Sequence, residues 1–185
     1  VVLFGPGVLN DIAGLRKAID AAGHPALFMV DTIASLGCVP YKMDAWGVDV
    51  TVTGAQKGLM TPPGLGFCAL GERGLAAMAT ARLPRYYFDF KKYRSSMAKG
   101  ETPYTPAVSL LFGLHEALRQ LRVEGLDEVL ARHARMAAAT REAASIVSRT
   151  NGLLGDQLGV TLLVRHLIVH ADASSTSFAS GGPVA

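Results

Sequence analysis

Residues Met29–Phe67, MVDTIASLGCVPYKMDAWGVDVTVTGAQKGLMTPPGLGF, decide the fold. The apolar run Ala26–Val30 enters this stretch and stops at an acid, Asp31. Such a run, without alternation, suits a parallel strand covered on both faces. A second strand is expected over Val50–Thr53, and Gly54-Ala55-Gln56-Lys57-Gly58 then turns sharply. Glycines on both sides of the lysine allow the backbone to come close to a bound group. Pro62-Pro63-Gly64 makes a stiff bend, and Leu65–Leu70 reads as a strand returning antiparallel. Asp31 and Lys57 stand 26 positions apart, about one strand–crossover–strand unit.

Upstream, Val1–Phe4 reads as a short buried strand, followed by the turn Phe4-Gly5-Pro6-Gly7. Asn10 is a candidate helix cap, with Asp11 in the first turn favouring the dipole. Ile12, Leu15, Ile19 and Ala22 follow at helical spacing, and Gly23 stops the helix. Strand, helix and strand make a βαβ unit. In open α/β sheets ligands sit outside the carboxyl ends of the strands, so topology places Asp31 for chemistry. A turn cap is the other role open to an aspartate there.

Downstream, Glu72–Ala81 is expected as a short helix. Thr105 reads as an N-cap and Pro106 as the first residue of a long helix, whose buried face would be Val108, Leu111, Leu114, Leu118 and Leu121. Gly125 interrupts it, and a second long helix runs from Leu126 to about Arg149. After Asn151-Gly152 the character changes. Val160–Val169 has the composition of a strand, and Ala171–Ala185 is small and polar enough to be disordered. The domain reading is therefore 1–145 for the α/β domain with its long helices, and 146–185 for an atypical, partly disordered tail.

Half the residues are hydrophobic, enough for a real core. The net charge of +3 is scattered, and its densest cluster, Lys91, Lys92, Arg94 and Lys99, is interleaved with Tyr86, Tyr87, Phe88, Phe90 and Tyr93. This reads as a solvated turn with aromatics anchoring it to the core, in preference to a nucleic-acid surface. Cys38 and Cys68 form no CxxC pair and read as small buried residues in a reducing compartment, so a cytoplasmic location is expected. No run is long and apolar enough for a membrane helix. His115 and His133 have no ligand-spaced partner, and His166 and His170 lack an acidic or cysteine neighbour, so no metal site is expected. No GxGxxG follows a strand, which argues against a plain dinucleotide binder. The start at Val1-Val2-Leu3-Phe4 has no basic leader and reads as the middle of a longer protein.

An acid and a lysine so placed are what an aldehyde cofactor with a pyridine ring needs: an amine for a Schiff base, and a carboxylate to keep the ring nitrogen protonated. The wording sharpens this. Asp31-Thr32-Ile33-Ala34-Ser35-Leu36-Gly37, then Gly54-Ala55-Gln56-Lys57-Gly58, then Pro62-Pro63-Gly64, resemble the class V aminotransferases of fold type I, in the branch of the alanine–glyoxylate and serine–glyoxylate (serine–pyruvate) aminotransferases. Tyr104-Thr105-Pro106-Ala107-Val108 fits the same branch, and the likeness runs from about Gly7 to about Ala144.

The resemblance implies a three-layer α/β/α domain with a mainly parallel sheet, here incomplete, and pyridoxal 5′-phosphate as cofactor. It implies transamination from alanine or serine to glyoxylate or pyruvate. Lys57 would carry the internal aldimine and move the proton between the substrate and the cofactor. Asp31 would pair with the ring nitrogen, Ile33 would lie against a ring face, and Gln56 would bond near the phosphate or ring hydroxyl. Thr105, and with it Thr102, would reach the phosphate of a neighbouring subunit's cofactor, which implies a homodimer acting on small amino and 2-oxo acids, with no nucleic-acid or membrane partner.

Relatives carry an earlier segment with the phosphate cup and a stacking aromatic ring, and a C-terminal domain with a carboxylate-binding arginine. Leu3-Phe4-Gly5-Pro6-Gly7 stands where relatives have a polar stretch rich in Thr, Ser, Asn and Glu, and Ile146–Ala185 does not resemble that C-terminal domain, so a large-domain fragment with an aberrant tail is expected. An inactive fragment or non-catalytic subunit, and a cysteine desulfurase-like lyase of the same class, are the alternatives.

Overall fold

The structure, a computed structural model, describes residues 9–154. The strands expected at Val1–Phe4 and Val160–Val169, the pair His166 and His170, and the Ala171–Ala185 tail lie outside the described residues. Helix α1 (Ile12–Ala21) leads into strand β1 (Met29–Asp31), and β2 (Val50–Gly54) and β3 (Gly66–Leu70) follow. Four helices complete the order: α2 (Glu72–Thr80), α3 (Phe90–Met97), α4 (Val108–Glu124) and α5 (Leu126–Leu154).

The sheet runs β1-β2-β3. β1 pairs parallel with β2, in the register Asp31↔Val52, and β2 pairs antiparallel with β3, in the register Gly54↔Gly66. The return of β3 agrees with the bend at Pro62-Pro63-Gly64. The expectation of a mainly parallel sheet meets one parallel and one antiparallel pairing among the described residues, a mixed sheet.

β2 is the central strand. Val50, Thr51, Thr53 and Gly54 are buried, and the hydroxyls of its two threonines are satisfied. Thr51 Oγ1 bonds the Tyr41 hydroxyl at 2.5 Å, and Thr53 Oγ1 donates to the Thr32 carbonyl at 3.3 Å. Buried hydroxyls left unpaired would be costly, so these bonds are what lets a Val-Thr-Val-Thr strand sit inside. Ile12, Val30 and Val48 form the core, with Phe28, Tyr41, Met43 and Trp46 packed against it.

Several expectations are corrected here. The α1 cap is Asp11, whose carboxylate accepts the Gly14 amide at 2.9 Å. The chain adopts its extended cap geometry one residue later than at Asn10. Gly23 follows the helix at φ +59°, the conformation that suits glycine there. β1 is shorter than the apolar run. Phe28 instead gives its carbonyl to the Asp49 and Val50 amides and its own amide to Asp49 Oδ2 at 2.7 Å. Met29 is 62% exposed, so β1 is not covered on both faces.

The aromatic and basic segment is not a turn. Asp89 caps a helix there, accepting from the Lys91 amide at 3.1 Å, and no residue of α3 is buried. Its aromatics pack on one another instead of anchoring to the core. Tyr87 stacks on Tyr104 with centroids 4.7 Å apart, and Lys92 Nζ lies 4.7 Å and 4.9 Å from the Tyr86 and Tyr104 rings.

α4 begins after Ala107, without a side-chain cap, so Thr105 and Pro106 precede the helix. Val108, Leu111 and Leu118 are exposed, and Leu114 and Leu121 are half-buried. Gly125, at φ +88°, breaks α4 from α5. Arg132 then reaches back across the break to Glu124 in a two-pronged pair of 2.7 and 2.9 Å. α5 runs from Leu126 to Leu154.

Candidate active site

Asp31 is the last residue of β1, and Lys57 lies three residues past the end of β2. Since these strands are parallel, both residues leave the sheet at the same carboxyl edge. Asp31 is exposed, and its Oδ1 accepts the Ile33 amide at 2.8 Å. This Asx-type turn fixes the carboxylate and leaves the other oxygen to accept a further bond. Thr32 is only 1% exposed and locks the exit from β1, because both its amide (2.8 Å) and its hydroxyl (3.1 Å) donate to the Val52 carbonyl.

The lysine turn is closed just as firmly. Ala55 is fully buried, and its amide donates to Leu65 O at 3.1 Å. Its carbonyl accepts both the amide (3.1 Å) and the hydroxyl (3.0 Å) of Thr61. Within the loop, Met60 takes φ +57° and its amide donates to Lys57 O at 2.9 Å. Gln56 is exposed and folds its side chain back over Gly54. Lys57 is exposed, and its Nζ makes no hydrogen bond or ion pair among the described residues.

Two glycines join the acid's loop to the lysine's turn. A Cβ on Gly58 would collide with the Leu36 carbonyl oxygen and lie 3.0 Å from Cys38 Sγ. Gly37, at φ +77°, would carry its Cβ 3.2 Å from the Gly58 carbonyl oxygen. The crossover backbone therefore rests directly on the lysine turn, which only glycine permits.

Thr102 and Thr105 belong to another part of the chain. Thr102 Oγ1 donates to the Tyr104 carbonyl at 2.8 Å, and Thr105 is exposed. No hydrogen bond or ion pair among the described residues joins either to Asp31, Ile33, Gln56 or Lys57. α4 does meet the site's far rim, where a Cβ on Gly64 would lie 2.5 Å from Leu110 Cδ1.

An apolar groove between the crossover loop and the α4–α5 pair is lined by Leu36, Val39, Pro40, Leu118 and Leu121. Neither Asp31 nor Lys57 lines it. Cys68 is exposed and Cys38 half-buried, so neither is the fully buried residue expected. Burial raises the Cys38 thiol, against a smaller opposing pull from Arg132, and burial raises Cys68 as well. Among the described residues no cluster of three or more metal-ligating side chains occurs, and no helix is long and apolar enough to cross a membrane.

An acid is fixed at the end of one parallel strand, a lysine with no hydrogen bond or ion pair among the described residues stands past the next, and a glycine contact holds the two loops together. Residues 6–154 match the class-V aminotransferases. The chain belongs to that family. It is 47% identical over 137 residues to L-aspartate–glyoxylate aminotransferase of Paracoccus denitrificans, covering 74% of this chain and 35% of that one. It is 47% identical over 142 residues to serine–glyoxylate aminotransferase of Methylorubrum extorquens, with the same two shares. Among solved structures, pyridoxamine–pyruvate aminotransferase from Mesorhizobium loti matches with a TM-score of 0.67 at 34% identity, covering 74% of this chain and 35% of that one. The chain thus spans about a third of the length of these relatives. The fold is that of the pyridoxal-phosphate aminotransferases, and pyridoxal 5′-phosphate is the cofactor of the family.

The residues present fit that cofactor at two points. An unpaired primary amine suits an aldehyde, and a carboxylate with an oxygen to spare suits a ring N–H. Sequence reasoning missed Thr32, Thr61 and Met60. Thr32 and Thr61 look in sequence like ordinary β-branched and loop residues, and a left-handed methionine leaves no signal at all.

Proposed function

We propose that this chain contributes the cofactor-holding core of a transaminase that moves the amino group of alanine or serine to glyoxylate or pyruvate. The observation that carries the reading is the shared carboxyl edge of β1 and β2, with Asp31 on one and Lys57 just beyond the other. When bound, the cofactor supplies an aldehyde for the amino group and a cationic ring that accepts electrons. Asp31 would keep the ring nitrogen protonated by accepting its N–H, an interaction worth more at a desolvated ring than on an open surface. Lys57 would hold the cofactor through Nζ and then move a proton at the substrate carbon. Ile33, whose amide already braces Asp31, would lie against the ring, and Gln56 would bond near the phosphate or ring hydroxyl.

Thr102 and Thr105 are assigned to the phosphate of a second subunit's cofactor, which makes the assembly a homodimer. Their separation from Asp31 and Lys57 in hydrogen bonding is in keeping with a role in trans. Two free cysteines suit a reducing compartment such as the cytoplasm. The lyase alternative needs a cysteine on a mobile loop. Cys68 instead sits within β3, opposite Val52 in the sheet, and Cys38 is half-buried against the Gly58 backbone, which disfavours it.

The test is transamination itself, with alanine or serine as donor and glyoxylate or pyruvate as acceptor, for the parent chain and Lys57→Ala. Lysine-dependent formation of glycine or alanine supports the reading. A lysine-dependent cofactor band without turnover supports the non-catalytic alternative.

A further inference from the structure

The two ends of the lysine turn, Ala55 and Thr61, are joined by the backbone amide and the side chain of one residue. Thr61 is 6% exposed, and it donates twice to a single acceptor, the carbonyl of fully buried Ala55, through its amide and its Oγ1. Between the two pinned residues the chain makes one further bond, Met60 N–H to Lys57 O, and passes through a left-handed residue with a side chain, Met60 at φ +57°. A non-glycine residue persists there only where the surroundings over-determine it. Among the described residues, the Thr61 hydroxyl is the side-chain group whose hydrogen bond closes the loop.

We infer that Thr61 is a positioning residue, its hydroxyl fixing the conformation from which Lys57 Nζ reaches its carbonyl partner. The inference rests on the reading of Lys57 as the reacting amine. Thr61 touches neither cofactor nor substrate and acts through the Ala55 carbonyl. Valine keeps the shape and the backbone bond while deleting the hydroxyl. Serine keeps the hydroxyl and deletes the methyl.

The experiment compares the full 185-residue chain with Thr61→Val and Thr61→Ser. Amide hydrogen exchange is read at positions 60 and 61, with Thr51 and Ala69, opposite one another in the β2–β3 ladder, as internal controls. The expected result for Thr61→Val is about a fivefold faster exchange of the turn amides, the size of one neutral hydrogen bond in an opening equilibrium. The ladder amides keep their rates, and Thr61→Ser stays near the parent. Alongside, the rate of borohydride-trapped attachment of pyridoxal 5′-phosphate to the Lys57 peptide falls several-fold in Thr61→Val and is restored in Thr61→Ser.

Unchanged turn amides in Thr61→Val would overturn the inference, as would a serine variant as impaired as the valine one. Ladder and turn amides loosening together would reduce Thr61 to a packing residue, and unchanged trapping with a loosened turn would do the same. If the parent chain shows no trapping at Lys57, the cofactor reading itself fails. The positioning claim is then decided by acetylation of Lys57 relative to Lys42 with acetic anhydride, a ratio expected to change at least about twofold in Thr61→Val only.

Discussion

At the scale of single residues, the site depends on groups that hold Asp31 and Lys57 without doing chemistry. Asp31→Asn keeps the shape and the bond to the Ile33 amide but removes the charge that would hold a ring proton. Retention of pyridoxal 5′-phosphate is expected to weaken by at least about tenfold, one pKa unit of differential interaction, measured by equilibrium dialysis. Equal retention would remove Asp31 from the ring nitrogen.

Gly58→Ala acts on the backbone. The new methyl meets the Leu36 carbonyl oxygen, which cannot swing away as a side-chain tip could. A loss of about 1–3 kcal/mol is expected in urea unfolding, in the range of overpacking. Asp49 is a structural counterpart at the opposite end of the strands. It accepts the Phe28 amide at 2.7 Å and Arg73 Nη1 at 3.0 Å, while its backbone carbonyl accepts the Gly71 amide. Asp49→Ala should lower stability by about 1–3 kcal/mol, a figure reduced from that of a fully buried pair because Arg73 is half exposed.

At the scale of elements, β2, β3 and the body of α1 were legible because their signals are local: apolar runs, glycine stops and the Pro62-Pro63-Gly64 bend. The positions of Asp31 and Lys57, at a strand end and in a glycine-flanked turn, were legible because apolar runs and glycines mark such places. The start of α4 was not, since Thr105-Pro106 makes a persuasive cap in sequence while the chain delays the helix to Val108. α3 was hidden because its stability owes nothing to a buried face; an aspartate cap and a stack of tyrosines hold it.

The α4–α5 pair also carries the acid-sensitive groups. The Arg119 hydrogen bond holds the Glu116 carboxyl down to about 2, helped by Gln120, and Arg132 lowers Glu124. A carboxyl lowered by folding contributes stability that is complete above its unfolded value near 4.5 and is lost as pH falls through the folded value. Both groups are exposed, so the effect is small and screened by salt. Carboxyl NMR titration should place Glu116 well below the ordinary carboxyl value near 4.5, and Arg119→Gln should return it toward that value.

At the scale of the whole molecule, the described chain is an α/β core with bare sides. Met29, Val108, Leu111, Phe112 and Leu118 are exposed, and an apolar groove runs between the crossover loop and the two long helices. These faces were expected to be buried because the sequence pattern encodes the side of a helix meant for a core, and a pattern does not say which residues supply the other half. Exposed apolar faces on this scale favour association. Sedimentation equilibrium is expected to show a dimer or larger species, and Phe112→Glu to shift it toward monomer. A strictly monomeric parent chain would weigh against the homodimer.

The central claim is that Lys57 is the amine that takes up the cofactor. The visible spectrum of the purified chain with added pyridoxal 5′-phosphate, recorded beside Lys57→Ala, tests it most directly. The expected result is an absorbance band that depends on Lys57 and that borohydride removes while leaving the label on the Lys57 peptide. No band, or one equally strong in Lys57→Ala, would contradict it.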